Sequence, residues 1–172
     1  MKLLVVVDMQ NDFIDGALGT KEAQAIVKPI AEYIKNFDGD VVFTQDTHYS
    51  NYLSTQEGKN LPVEHCIFMT EGWFIKEELK QAATSLPIDV YSKDTFGCID
   101  LALDIQEFDR DDEIYLCGVC TDICVITNAM VIKTVNPEVK ITVLKDLCAG
   151  TCPELHNDAL KLMKKSLQVN VI

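Results

Sequence analysis

Two short stretches carry residues able to do nucleophilic chemistry. "GVCTDICV" (Gly118–Val125) holds Cys120 and Cys124 on either side of a Thr-Asp pair, and Asp8 and Lys93 end or follow apolar runs elsewhere in the chain. An acid, a lysine and a thiol brought to one place make an acyl-transfer centre. The thiol must become a thiolate to attack, and a neighbouring base or cation promotes that. A turn leading into a helix N-terminus adds a favourable dipole and backbone N–H groups for a developing oxyanion. Cys120 belongs to the turn and Cys124 lies about one helical turn later, in the expected first turn of the helix. On these grounds either is the nucleophile, and both as small packing residues is an equal reading.

A second constellation is Asp46-Thr47-His48, followed by Glu57 and His65. A spacing of two along an extended chain puts Asp46 and His48 on one side. With His65 and Glu57 they form a carboxylate–imidazole set suited to a divalent transition metal. Two of the three histidines fall in this one irregular stretch, against the alternative of ordinary loop histidines. His156 is expected to be exposed, "DRDDE" (109–113) to be a solvated turn, and Trp73 to be a pocket wall or simple packing.

These residues need a scaffold that gathers them. Apolar, Val-rich runs at Leu3–Val7, 41–43, 88–91, 113–117, 140–144 and 169–172 read as strands of a buried parallel sheet. Helical periodicity covers Glu22–Phe37, and 73–84, 99–107, 121–135 and 153–166 also read as helices. Thr121 or Asp122 is expected to cap the fourth of these, and Thr151 the last, with Pro153 in its first turn. Strands alternating with helices predict an α/β fold: a doubly wound, Rossmann-like sheet of about six mainly parallel strands, forming one domain over residues 1–172. If the first strand is central, Asp8, Lys93 and the 118–124 turn approach one crevice at the carboxyl edge, where such sheets bind ligands. The stretch from Asp46 to Gly72 fits neither period, and a loop of that length is often functional.

Composition sets outer bounds. The chain has 172 residues, 48% hydrophobic and 24% charged, which is a globular balance. A net charge of −12 argues against nucleic acid and against an anionic membrane surface. The opening apolar run stops at Asp8, too early for a signal sequence or a span. Seven cysteines, an odd number, fit a reduced cytoplasmic setting. Cys117 and Cys120 match C-x-x-C, but Cys117 lies inside a strand-like run and reads as core, and no second C-x-x-C exists to complete a four-cysteine zinc site.

The chain resembles the isochorismatase-like cysteine hydrolases, and among them the nicotinamidases. "VVVDMQNDF" (5–13), "TQDTH" (44–48) with "LPVEHC" (61–66), "SKDTF" (92–96) and "GVCTDICV" resemble that family's motifs in the same order over nearly the whole chain. The resemblance implies that Cys124 is the nucleophile, with Asp8 as general base and acid and Lys93 as the cation beside both. It implies a cis peptide at Val119–Cys120 and an oxyanion hole from the backbone N–H groups of Cys120 and Cys124. It implies a divalent metal, often zinc, on Asp46, His48 and His65. Where some relatives place a further histidine this chain has Ser54, and Glu57 is the better candidate. Phe13 and Phe96 are implied ring walls, with Leu61 where an aromatic is common. The implied reaction is hydrolysis of a small amide, nicotinamide to nicotinic acid and ammonia, by a homo-oligomer. The alternatives are an amidase for another small amide, carbamoyl or ureido compound, and a non-catalytic thiol redox sensor. Isochorismatase itself fits less well, since its vinyl-ether chemistry does without this nucleophile.

Overall fold

The structure, a computed structural model, describes residues 1–83 and 89–172. Its strands are β1 (Lys2–Val7), β2 (Asp40–Asp46), β3 (Asp89–Lys93), β4 (Glu113–Val119), β5 (Lys140–Ala149) and β6 (Asn170–Val171). Among the described residues these form one sheet in the order β3-β2-β1-β4-β5-β6. Every pairing is parallel. The expected doubly wound α/β architecture is therefore the observed one, with β1 at the point where strand order reverses.

The helices are α1 (Asn11–Ile14), α2 (Lys21–Lys35), α3 (Gln56–Asn60), α4 (Glu77–Ala82), α5 (Ile99–Ile105), α6 (Ile126–Val135) and α7 (Pro153–Lys165). Alternation along the strands divides the core into two layers. Leu3, Val5 and Val7 point to the layer that takes Leu101 of α5, Ala129 of α6 and Met163 of α7. Leu4 and Val6 point to the opposite layer, with Phe43, Ile30 of α2 and Leu79 of α4. Burying each such Leu or Val side chain contributes roughly 1.5–3 kcal/mol, so a sheet covered on both faces is strongly favoured over any slipped register. Thr20 caps α2 by accepting from the Ala23 amide at 3.0 Å.

Several boundaries differ from the periodicity. The helix expected over 73–84 begins later. Glu71–Trp73 is a 3-10 turn, and residues 74–76 pair with the chain after β1 through Asn11 N to Phe74 O (3.0 Å) and Lys76 N to Met9 O (2.9 Å). Position 84, its expected end, and Ile88, the expected start of the third strand, lie outside the described residues. β3 runs on to Lys93, so the lysine closes the strand and does not follow it. β5 likewise extends to Ala149 past an irregularity opposite Leu116–Gly118. The irregular 46–72 stretch contains a 3-10 turn, Tyr52–Ser54, and the short α3.

The expected caps at Thr121, Asp122 and Thr151 do not form. Cys120 and Cys152 precede the two helical segments without side-chain capping bonds. The first segment, Thr121–Val125, is a π turn: Val125 N reaches back five residues to Cys120 O at 3.0 Å. Asp122 is used instead to accept from Thr151 N (2.8 Å) and Thr151 Oγ1 (2.5 Å), which ties this turn to the start of α7. His156 is half-buried and not exposed, because its Nδ1 lies 2.8 Å from the Oγ1 of buried Thr121. Among the described residues, no helix is long and apolar enough to cross a membrane.

Candidate active site

The carboxyl ends of β1, β2, β3 and β4 each deliver one polar group to a single crevice. Asp8 follows β1 directly, is fully buried, and has φ +48°, a left-handed conformation that costs a non-glycine residue about 1–3 kcal/mol. Its backbone and side chain are held by Thr44, whose Oγ1 donates to Asp8 Oδ1 at 2.6 Å. Lys93 Nζ lies 2.7 Å from Asp8 Oδ2 and 3.4 Å from Asp46 Oδ1. It also lies 3.8 Å from Cys124 Sγ. Acid, lysine and thiol are thus gathered where sequence spacing alone could only suggest it.

The electrostatics of the cluster are one-sided. Burial pushes the Cys124 thiol well up, the Asp8 charge adds to this, and Lys93 only partly opposes it. Burial also raises Asp8, against the attraction of Lys93. Burial works against the charge of Lys93, but Asp8, Cys124 and Asp46 outweigh it and raise its pKa. The cluster thus favours a protonated thiol beside a charged lysine, with the Asp8 carboxylate next to that lysine.

Cys124 sits in the π turn, 6% exposed. The preceding Val119–Cys120 peptide is cis, as the family resemblance implies. Cys120 is half-buried and lines the cavity, and burial first, then Asp122, pushes its thiol up to about 12. Cys117 is fully buried in the core, as its strand position implies.

The second cluster adjoins the first through Asp46. Asp46 Oδ2 lies 3.0 Å from His48 Nε2 and 3.6 Å from His65 Nε2. Glu57 Oε1 lies 3.6 Å and 3.7 Å from the same two nitrogens. Ligands at about 2.0–2.1 Å in a tetrahedron stand about 3.3–3.4 Å apart. Asp46, His48 and His65 come together closely enough to share a small divalent ion, their mixed oxygen–nitrogen set suits zinc, and Glu57 stands beside the two imidazoles. Two further observations fit. Among the described residues, buried His48 Nε2 makes no hydrogen bond of good geometry, although Asp46 Oδ2 lies close to it. His65 Nδ1 lies 2.8 Å from Val63 O, which leaves its Nε2 lone pair facing the cluster. Burial opposes ionisation of Asp46, but the two imidazoles and Lys93 prevail and hold the carboxyl well below its usual range. Tyr52 packs behind both rings, at 4.7 Å and 5.0 Å. Ser54 is exposed and donates to Asn51 O, away from this set.

A cavity of about 610 Å³ joins the two clusters. Phe13, Leu61 and Phe96 all line it, as do Asp46, Glu57, His65, Cys120 and Cys124. Leu18, Ile123 and Thr151 also line it and were not foreseen as lining, since nothing in their local spacing marks them; Gln56, Asn60, Asp94 and Thr95 add polar groups. Trp73 does not line this cavity; it packs against Phe68 and Phe74, and its Nε1 also donates to Thr47 Oγ1 at 2.9 Å. Gln10 and Asp12 were also missed. Their signal was present as polar residues just past the buried run that ends at Asp8. Asp12 Oδ2 accepts from Cys66 N at 2.7 Å, beside His65, where Cys66 has φ +47°.

An open parallel sheet whose strand ends bring aspartate, lysine and cysteine beside a carboxylate–histidine cluster defines the class, and the chain belongs to the isochorismatase domain family, which matches residues 2–172. Among individual relatives, it is 28% identical over 219 residues to the nicotinamidase of Saccharomyces cerevisiae, covering 100% of this chain and 99% of that protein. It superposes on the pyrazinamidase/nicotinamidase of Streptococcus mutans with TM-score 0.84 at 28% identity, covering 100% of both chains. It superposes on the pyrazinamidase of Pyrococcus horikoshii in complex with zinc with TM-score 0.79 at 28% identity, covering 99% of this chain and 98% of that one.

Proposed function

We propose that this protein is a nicotinamidase, hydrolysing nicotinamide to nicotinic acid and ammonia through a thioester on Cys124. The observation that carries the reading is the position of Lys93 Nζ, 2.7 Å from Asp8 Oδ2 and 3.8 Å from the Sγ of Cys124, which lines a largely apolar cavity. The similarity to a nicotinamidase and to a pyrazinamidase, each over nearly the whole chain, supports the choice of a small heteroaromatic amide.

Asp8 takes the thiol proton as Cys124 Sγ attacks the carboxamide carbon. Lys93 keeps its charge throughout and stabilises the thiolate and the Asp8 carboxylate in turn. The backbone N–H groups of Cys120 and Cys124 receive the oxyanion of the tetrahedral adduct. Its collapse breaks the C–N bond, and Asp8 returns the proton so that ammonia leaves and the thioester remains. Water, deprotonated by Asp8, then adds to the thioester; nicotinic acid departs and the proton goes back to sulfur. Asp46, His48, His65 and Glu57 would hold a divalent ion, most simply zinc, which when bound supplies a Lewis-acid contact for the pyridine nitrogen. Phe13, Phe96 and Leu61 sandwich the ring and exclude water.

The test is ammonia release from nicotinamide by wild type and Cys124→Ala, with metal content measured on the same samples. Release by wild type alone supports the reading. A folded, metal-loaded wild type that releases none overturns it.

A further inference from the structure

The geometry points to Gln10 as a positioning residue for the metal centre, acting through the backbone of Asp46; the inference rests on reading Asp46, His48, His65 and Glu57 as metal ligands. Asp46 is the residue both clusters share. One carboxylate oxygen faces His48 and His65, and the other lies 3.4 Å from Lys93 Nζ. A small displacement of its backbone would therefore misplace a metal ligand and disturb the lysine together.

The fold leaves that backbone exposed to displacement on one side. Residues of β2 alternate in the side to which their peptide groups point. Thr47 N bonds to Lys93 O of β3 at 2.8 Å, whereas Thr44 O accepts from Asp8 N on the β1 side at 3.2 Å. Asp46 points to the β1 side, like Thr44. There the ladder has run out, because the β1–β2 register stops at Val6↔Phe43 and the chain turns away through the left-handed Asp8. A buried peptide with no partner loses its solvation without compensation and leaves the strand end free to shift.

The side chain of Gln10 takes the place of the missing strand. Its Oε1 accepts from Asp46 N at 2.7 Å, and its Nε2 donates to Asp46 O at 2.8 Å. The second Nε2 hydrogen goes to Trp73 O at 2.8 Å. Gln10 is fully buried, so no water competes for these bonds. Only a primary amide can accept from the N–H while donating to both carbonyls; a carboxylate would face two carbonyl oxygens with no hydrogen to offer. The clamp is reinforced on either side of Asp46, since Gln45 Nε2 also donates to Trp73 O and Trp73 Nε1 donates to Thr47. Asp46 is thus gripped from the β1 side by an amide that mimics a peptide and from the β3 side by a true ladder bond.

The experiment measures zinc affinity by chelator competition, and the d–d spectrum of the cobalt-substituted protein, for wild type, Gln10→Met, Gln10→Glu and Asn11→Ala. Asn11→Ala is the control: Asn11 Nδ2 donates to Glu71 O at 2.8 Å and tethers the same loop without touching Asp46. Folding is checked by circular dichroism and melting, and Gln10→Glu gives the reading if Gln10→Met does not fold. The expected result is a zinc affinity about 10–100-fold weaker in the Gln10 variants, with an altered cobalt spectrum, while Asn11→Ala stays within about twofold of wild type. Folded Gln10 variants with wild-type affinity overturn the assignment while the metal reading stands. An equal loss in Asn11→Ala overturns it too, since the effect would then belong to the loop as a whole. Wild type that takes up no zinc or cobalt sinks the metal reading and Gln10 with it.

Discussion

At the scale of single residues, the two cysteines of the 118–125 turn part company. Cys124 Sγ faces Lys93, whereas Cys120 contributes its backbone to the turn and its thiol to a cavity wall. Cys124→Ala is expected to lower kcat by at least about 10³-fold, as loss of a nucleophile does, and Cys120→Ala to stay within about fivefold. Ammonia-release kinetics on both variants check this, and an equal loss in both refutes the assignment. In the proposed mechanism Asp8 sets the pH behaviour. It must be ionised to accept the thiol proton, and its pKa is raised by burial, with Asp46 adding to this and Lys93 and Thr44 opposing. A base with a raised pKa protonates earlier on acidification. The acid limb of kcat/KM is therefore expected above 3.8, the ordinary aspartate value, and Asp8→Asn should remove that limb and about 10²–10⁴-fold of the rate. An acid limb unchanged in Asp8→Asn would assign it to another group.

Elements matter through where they end. β1 and β4 run side by side until Val7↔Gly118, and the chain beyond them carries Asp8 and Cys124, the base and nucleophile of the proposed mechanism. Gly118 has φ +111°, and a Cβ there would sit 2.2 Å from Val7 O, one residue before Asp8. Gly118→Ala is expected to cost at least about 1–3 kcal/mol of stability from backbone conformation and overlap together, and to lower activity beyond what the stability loss explains. Denaturant melts and kinetics at a temperature where both proteins are folded separate the two effects. Thr20→Ala is a useful contrast. It removes only the α2 cap, so it should cost about 0.5–2 kcal/mol and leave kcat/KM unchanged.

For the whole molecule, a metal bound by groups from β2, α3 and the loop ending at Cys66 would brace segments far apart in sequence. A ligand at 100 times its Kd stabilises the folded state by about 2.7 kcal/mol. Chelation of the purified protein is therefore expected to lower Tm by roughly 5–10 °C, with zinc restoring it. Calorimetry with and without chelator checks this, and an unchanged Tm in a protein proven to lose its metal would deny the site a structural share. The surface charge of −12 is a separate property and leaves the apolar cavity as the feature that chooses ligands.

The sequence by itself determined the layered α/β architecture, because two-residue and helical periodicities record which faces each element must bury, and Leu3–Val7 can satisfy its alternation only between two layers of helices. It also held the chemistry-bearing residues, since Asp8, Asp46, Lys93 and the 118–125 turn all fall at strand ends, where side chains escape the core. The choice between Cys120 and Cys124 came from resemblance and not from spacing, and distances to Lys93 were needed to give it a physical basis. Tertiary structure alone decided the rest. Gln10 gripping Asp46, Asp12 gripping Cys66, His156 against Thr121 and Asp122 against Thr151 join residues 29–54 positions apart or reach across elements, and no local pattern encodes such pairs. The helix ends moved for the same reason: the 3-10 turn at Glu71–Trp73 and the π turn at Thr121–Val125 occur where long-range bonds to Met9, Asn11 and Thr151 outweigh local helix preference.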